Sequence, residues 1–396
     1  MKAIKFATPD LTKTEISKVK KVIKSRWITN GPTVREFENR IARICGCNKA
    51  VAFDSCTAAM ELTLRLLGIG PGDEVITTPY TYTATADVIE HTGAKIVFVD
   101  LDGSSFEMNY ERVAAAITER TKAVMPVDIG GKLCNYESLM AAVCSHKEMF
   151  RPSNELQEAI GRVAIVADAA HSLLADRKGL VSGQHADFTC FSFHVLKNIT
   201  TGGEGGAVVW KDIEGVSNDD IEATLRLLGD HGQTSRDKSR GWEYDIRLLG
   251  YNHIMTDVDA AMGMAQLDRL HDLHEKRKAV TYRYDVMFNR SIIEPMIHHF
   301  GVDYMSAMHL YPIHIPGDED RRNEVFLKLR DKKVPCNVHY KPLPMFTGYK
   351  ALGYDIKDYP NAYKMFSNLL TIPYHTELTA DQQQYIVNAI ERTVRE

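Results

Sequence analysis

The chain has no excess of either charge sign. Among 396 residues, 48 lysines and arginines face 52 aspartates and glutamates, a net of −4 at pH 7. That excludes the strongly basic footprint of a nucleic-acid binder. Cysteine is scarce and odd in number: the seven include Cys45 and Cys47, whose spacing suits neither a CxxC redox pair nor a zinc pair. Reduced, buried thiols are expected, as for Cys190 within the apolar run DFTCFSF. No apolar run nears the roughly 18 residues of a membrane span, so no membrane partner is expected. The opening MKAIKFATPDL lacks the apolar core of a secretory leader, and a cytoplasmic protein is expected. Despite 15 histidines there is no HExxH or other paired metal spacing, so no metal site is expected. Repeats and low-complexity tracts are missing too. With 44% hydrophobic and 25% charged residues, the composition is that of a soluble folded chain.

What is present is an alternation. The length suggests two or three domains. Residues Asp10 to Ser25 read as a helix with Ile16, Val19 and Ile23 on its apolar face and Lys18, Lys20, Lys21 and Lys24 on a solvated one. A second helix runs Val34 to Ile44. From Val51 onward, short apolar runs read as strands at 51–53, 74–77, 95–99, 122–127, 163–167, 188–193 and 207–210. Helical stretches such as Thr57–Leu67 and Thr83–His91 separate several of them. This pattern predicts a parallel sheet covered on both faces. A long helix is expected over Met255–Leu270 and a final one from Ala380, with mixed, His- and Tyr-rich segments between. The polar segment 144–161 reads as an insertion that decorates the surface.

Open α/β sheets bind ligands at the carboxyl ends of their strands, and four stretches lie there. DSCTAAMEL, from Asp54 to Leu62, opens a helix whose free amides suit a phosphate, although Ser55 or Thr57 as an ordinary N-cap explains it equally simply. In YTYTAT, Tyr82 is placed to stack on a flat ligand, but taken alone it reads as a core aromatic. In AIVADAAH, Asp168 ends an apolar strand, either as a helix cap or as a carboxylate that holds a heterocyclic nitrogen protonated. In SFHVLKNITTGGEGG, Lys197 sits in a loop before a glycine turn. It is a surface lysine or an amine that forms a Schiff base with a carbonyl compound. The glycines do not form a P-loop, because GxxxxGK[ST] is missing.

In combination and order, these stretches resemble the DegT/DnrJ/EryC1/StrS family of sugar aminotransferases. The likeness runs from WITNGP at 27–32 through SCTAAMEL, KIVFVD, ADAAHS and GYNHIMTDVDAAMGMAQL to HYKPLP at 339–344. It implies the α/β aspartate-aminotransferase fold (PLP fold type I): a large domain with a mostly parallel seven-stranded sheet, over 1–270, and a small α/β C-terminal domain, over 271–396. It also implies pyridoxal 5′-phosphate (PLP) held covalently on Lys197, with Asp168 on the pyridine nitrogen and Tyr82 stacked on the ring. His171 falls near the ring hydroxyl, and Thr57, Ala58 and Ser192 fall at the phosphate. Asn252 matches an asparagine that reaches the phosphate of a neighbouring subunit, so a homodimer with a shared site is implied. His339 and Tyr340 fall where the substrate is met.

The expected activity is therefore transfer of an amino group from an amino acid, L-glutamate for choice, to a nucleotide-linked keto-sugar such as a UDP-4-keto-6-deoxy sugar. Relatives with His at the lysine position remove a hydroxyl instead, and Lys197 argues against that dehydratase reading. A non-catalytic PLP-binding regulator is the remaining alternative. Two departures from the family pattern stand out: the turn reads TTGGEGG, one glycine longer than usual, and Ile254 replaces a usual cation.

Overall fold

The computed structural model describes residues 3–103, 105–235, 239–289 and 291–396. Two helices, α1 (Lys13–Ser25) and α2 (Pro32–Ile44), precede the sheet. Strands and helices then alternate: β1 (Ala50–Phe53), α3 (Cys56–Leu66), β2 (Glu74–Thr77), α4 (Ala84–Thr92), β3 (Lys95–Phe98), α5 (Tyr110–Ala116), β4 (Thr121–Met125), α6 (Tyr136–Cys144), α7 (Glu155–Ile160) and β5 (Ala164–Asp168). A small ribbon, β6 (Asp176–Arg177) and β7 (Leu180–Val181), leads to β8 (Phe188–Ser192), β9 (Gly206–Trp210) and α8 (Asn218–Gly229). Helices α9 (Asp257–Asp268) and α10 (Leu270–Phe288) follow. The remainder holds β10 (Glu294–Pro295), β11 (Tyr304–Met305), β12 (Pro312–His314), α11 (Glu319–Asp331), α12 (Thr347–Ala351), α13 (Pro360–Asn368), β13 (Leu369–Thr371) and α14 (Ala380–Arg395).

Seven strands form the main sheet, in the order β1-β9-β8-β5-β4-β2-β3. Only β9 runs against its neighbours. Most of these strands are buried on both faces, and their side chains divide by parity. Val51, Phe53, Val75, Val166 and Val208 join one core with α3 and α8. On the other face, Ile76, Val124 and Ile165 pack with α6, while Ala52, Phe191 and Val209 pack with Phe37 and Ile41 of α2. A separate antiparallel sheet, β10-β12-β13, is covered by α10, α11 and α14 around Tyr284, Ile313, Leu329 and Ile386. No helix among the described residues is long and apolar enough to cross a membrane.

The first helix turns a different face inward from the one its apolar spacing predicts. Ile16 and Ile23 are 69% and 56% exposed, whereas Glu15 and Val22 are buried. A polar network fixes this rotation. Glu15 accepts from the Thr12 amide at 2.7 Å, from Gln266 Nε2 at 2.8 Å and from Arg269 at 2.9 Å. A buried carboxylate so fully bonded outweighs two aliphatic side chains left at the surface. The 144–161 segment is likewise more than decoration. Phe150 and Gln157 are buried, and Gln157 Nε2 donates at 2.6 Å to Leu67 O at the carboxyl end of α3. That end of α3 is remote from the carboxyl edge of the parallel strands.

Candidate active site

The carboxyl edge of the sheet gathers most of the residues singled out above. Asp168 is the last residue of β5, and Ser192 the last of β8. Because β9 is antiparallel, its first residue, Gly206, lies at the same edge, opposite both Ser192 and Phe53. A Cβ on Gly206 would stand 2.3 Å from the Cys56 amide nitrogen, so only glycine lets β9 approach the start of α3. Ser55 caps that helix, its Oγ accepting from the Ala58 amide at 3.1 Å. The N-cap reading and a phosphate site are compatible, because one cap satisfies only one of the helix's leading amides. Thr57 is half-buried and Ala58 buried in this first turn.

Asp168 is buried. Its Oδ2 accepts from Thr85 Oγ1 at 2.7 Å and its Oδ1 from the Ala170 amide at 3.1 Å. Thr81 in turn bonds Thr85 at 2.9 Å. A paired Asp168 would have a lowered pKa, but the protein alone does the reverse. Burial raises it, and the Thr85 hydroxyl, the Ala170 amide and the Lys197 charge only partly offset this. No cation among the described residues forms an ion pair with this carboxylate. A buried acid with two donors and no cation fits a protonated ring nitrogen.

Lys197 is half-buried in the loop after β8. Desolvation lowers the pKa of its amine, against the opposing pull of Asp168, Cys56 and Glu204. A lysine with that tendency has more of its amine neutral and nucleophilic at ordinary pH. The loop folds back on itself through Phe193 N to Gly205 O at 2.7 Å and Thr201 N to Phe193 O at 3.1 Å. Gly205 has a φ of +154°, and a Cβ there would meet Thr201 Oγ1 at 1.9 Å.

Tyr82 is not a core residue: it is 63% exposed, with its ring 6.2 Å from that of Tyr340. Strand β2 ends before it, and Tyr80 takes the buried position instead, donating to His339 O at 3.0 Å. Tyr340 therefore lies between Tyr82 and His171, and its hydroxyl is 3.4 Å from His171 Nε2. His339 packs behind it, 3.0 Å from Thr371 Oγ1 through Nδ1. Asn252 stands apart. It is exposed on the stretch tied to the end of β1 by the Phe53–Ile254 bridge and the Asp54 amide to His253 O bond at 3.0 Å. Ile254, the departure from a cation, is half-buried and lies in that backbone bridge.

The DegT/DnrJ/EryC1/StrS aminotransferase family model matches residues 9–391. The chain belongs to this family. It is 34% identical over 403 residues to the spore coat polysaccharide biosynthesis protein SpsC of Bacillus subtilis, covering 98% of this chain and 97% of that one. It is 32% identical to the UDP-4-amino-4,6-dideoxy-N-acetyl-beta-L-altrosamine transaminase of Campylobacter jejuni, covering 98% and 96%. Among solved structures, Spr1654 of Streptococcus pneumoniae in its PLP form superposes with a TM-score of 0.96 at 41% identity, covering 99% of each chain. Helicobacter pylori PseC, an aminotransferase involved in the biosynthesis of pseudoaminic acid, gives 0.86 at 26%, covering 100% of each.

Within this family member, sequence reading missed three residues that the fold brings to the site. Thr85 lies within YTYTAT with no signal beyond its place in the first turn of α4, four residues after Thr81. Asn198 directly follows the lysine and drew no notice. His309 is one of the fifteen histidines that show no metal spacing, and its ring lies 4.2 Å from that of His171.

Proposed function

We propose that this chain is a PLP-dependent aminotransferase that moves an amino group from an amino acid to the carbonyl of a nucleotide-linked keto-sugar. L-Glutamate is the donor we favour and a UDP-4-keto-6-deoxy sugar the acceptor, in the making of deoxyamino sugars for polysaccharide. The observation that carries this is a buried Asp168, with no ion-pair partner among the described residues, at the same sheet edge as Lys197 in the loop after β8.

When bound, PLP supplies an electron sink for charge developing at the carbon that bears the nitrogen. The residues of the chain do the rest. Lys197 would hold the cofactor through its amine and, when free, would supply a base for the proton to be moved. Asp168, steadied by Thr85, keeps the ring nitrogen protonated. The start of α3 at Thr57 and Ala58, with Ser192, holds the phosphate. Tyr82 would cover the ring, and His171 would meet its oxygen. His339 and Tyr340 form the wall that the sugar meets. Asn252 completes the phosphate site of a second subunit in a homodimer. Its exposed side chain has no hydrogen-bond partner among the described residues, and the apolar stripe of Ile16 and Ile23 is open to such a contact. The division into two domains falls between α9 and α10, near residue 270.

The test is incubation of the purified protein with glutamate and a panel of nucleotide keto-sugars, with products read by mass and NMR. Wild type is expected to install one nitrogen per sugar and to show a visible-edge absorption band that Lys197→Ala abolishes. Loss of oxygen without gain of nitrogen would replace this reading with a dehydratase. Cofactor binding with no product from any sugar would replace it with a regulator.

A further inference from the structure

Behind the lysine lies a set of side chains that the reaction as described does not use. Asn198 Nδ2 donates to Ala307 O at 2.6 Å. A carbonyl oxygen only accepts, so the amide's nitrogen must face Ala307 and its Oδ1 must face away. That Oδ1 lies 2.8 Å from His309 Nδ1. An amide oxygen also only accepts, so the proton of His309 is on Nδ1. The ring of His309 is tilted 31° to that of His171 at 4.2 Å between centroids. His171 Nδ1 receives the Gly130 amide at 3.2 Å. A backbone N–H only donates, so His171 Nδ1 is bare and its single proton is on Nε2, the nitrogen facing Tyr340.

The two imidazoles thus carry opposite tautomers, each fixed by a partner that has no choice of role. While the Gly130 bond holds, His171 cannot become an imidazolium. The surroundings agree. Both rings are buried, and burial together with Lys197 and His339 works against a charge on either; His309 also faces Arg277. The same segment is pinned twice more, by Ala307 N to Gly131 O at 2.8 Å and by His309 N to Gly130 O at 3.0 Å.

We propose that Asn198 and His309 are positioning residues for the reaction at Lys197. They tie the lysine turn to the 307–309 segment, and that segment holds Gly130 through His309 N, so that the Gly130 amide leaves His171 facing the site as a fixed Nε2–H donor. A donor locked at that nitrogen suits an anionic oxygen on the cofactor ring, and one that cannot take a second proton does not compete with Lys197 for the protons being moved. The inference rests on the aminotransferase reading for the reaction it serves, but the tautomers belong to the protein alone.

The experiment has two arms. In the first, full-length holoenzyme with 15N-labelled imidazoles is examined by long-range proton–nitrogen NMR, with signals assigned by their loss in His171→Gln and His309→Gln. His171 is expected as the Nε2–H tautomer with no titration between about pH 6 and 8, the range where an ordinary histidine changes charge. His309 is expected as Nδ1–H. An Nδ1–H or titrating His171, or an Nε2–H His309, overturns the proposal whatever the variants do. In the second arm, Asn198→Ala and His309→Leu lower kcat by up to about a hundredfold with little change in KM for the amino donor, as misplacement of a reacting group does. Both also shift the pH at which the visible band titrates. His309→Asn keeps a donor toward Asn198 and retains more kcat than His309→Leu. Variants that turn over and titrate like wild type overturn the proposal. A wild type that transfers no amine refutes the functional reading and leaves the tautomers legible.

Discussion

Asp128 sits close to the site, its amide bonded to Asp168 O, and is buried with no ion-pair partner among the described residues. Its Oδ1 accepts from the Cys134 amide at 3.0 Å and the Tyr136 hydroxyl at 3.1 Å, and its Oδ2 accepts from Ser172 Oγ at 2.8 Å. Burial outweighs these three donors and pushes the carboxyl from 3.8 up to about 7. The folded pKa lies above the unfolded one, so the folded state holds the proton better. The stabilisation from this group is complete below the unfolded value and is lost as pH rises through about 7. In the variant Asp128→Asn, the amide oxygen would keep both Oδ1 contacts. Its nitrogen would donate to Ser172 Oγ, whose own proton turns to Ser182 at 3.0 Å. The variant has no charge to bury. From pH 5 to pH 8 its stability should therefore rise relative to wild type by about 3 kcal/mol, two pKa units at 1.36 kcal/mol each. Urea unfolding of both proteins at several pH values reads this difference directly, because every other titrating group cancels between them. A difference that stays flat across that range, or that runs the other way, refutes the argument that Asp128 is a destabilising buried charge.

Two further outcomes follow from the site. Thr85→Val keeps the side-chain shape but removes the hydroxyl that steadies Asp168, a bond to a charged group worth about 1.5–3 kcal/mol. Titration of apoprotein with PLP should show weaker binding by that margin, and unchanged affinity would separate Thr85 from the role of Asp168. Gly206→Ala forces its Cβ against the Cys56 and Ser55 backbone, where no flexible side chain can give way. It should cost at least about 1–3 kcal/mol, and a melting temperature equal to wild type would mean that β9 and α3 are not held as close as described.

Much of the main sheet was legible because its strands announce themselves twice. Each is a short apolar run, and each is followed by a helix or a chemically loaded turn. The 74–77 strand is bounded as the sequence predicts, and the other six shift by at most two residues at either end. Helix α10 was not legible. Its inward positions include Arg277 and Thr281 beside Leu273, Val280 and Tyr284, so polar residues interrupt the apolar period. Helix α11 hides for a related reason, since EDRRNEVFLKLRD offers few apolar residues and buries Arg322 among them. Arg322 is accommodated by the carbonyls of Phe366 and Leu369, at 2.9 and 3.1 Å, partners 44 and 47 positions away.

Local order in the chain was enough to determine the alternating α/β class and to put Asp168 and Lys197 after strands as candidates, because hydrophobic period and strand-end position are properties of neighbouring residues; their roles came from the resemblance. The burial of Asp168, the exposure of Tyr82 and the inward turn of Glu15 were decided by tertiary contacts. So was the meeting of Asn198 and His309, 111 positions apart. In each case a side chain's charge state or direction depends on partners distant in sequence. Their donors and acceptors become defined only when the strand edge and the 307–309 segment close on one another.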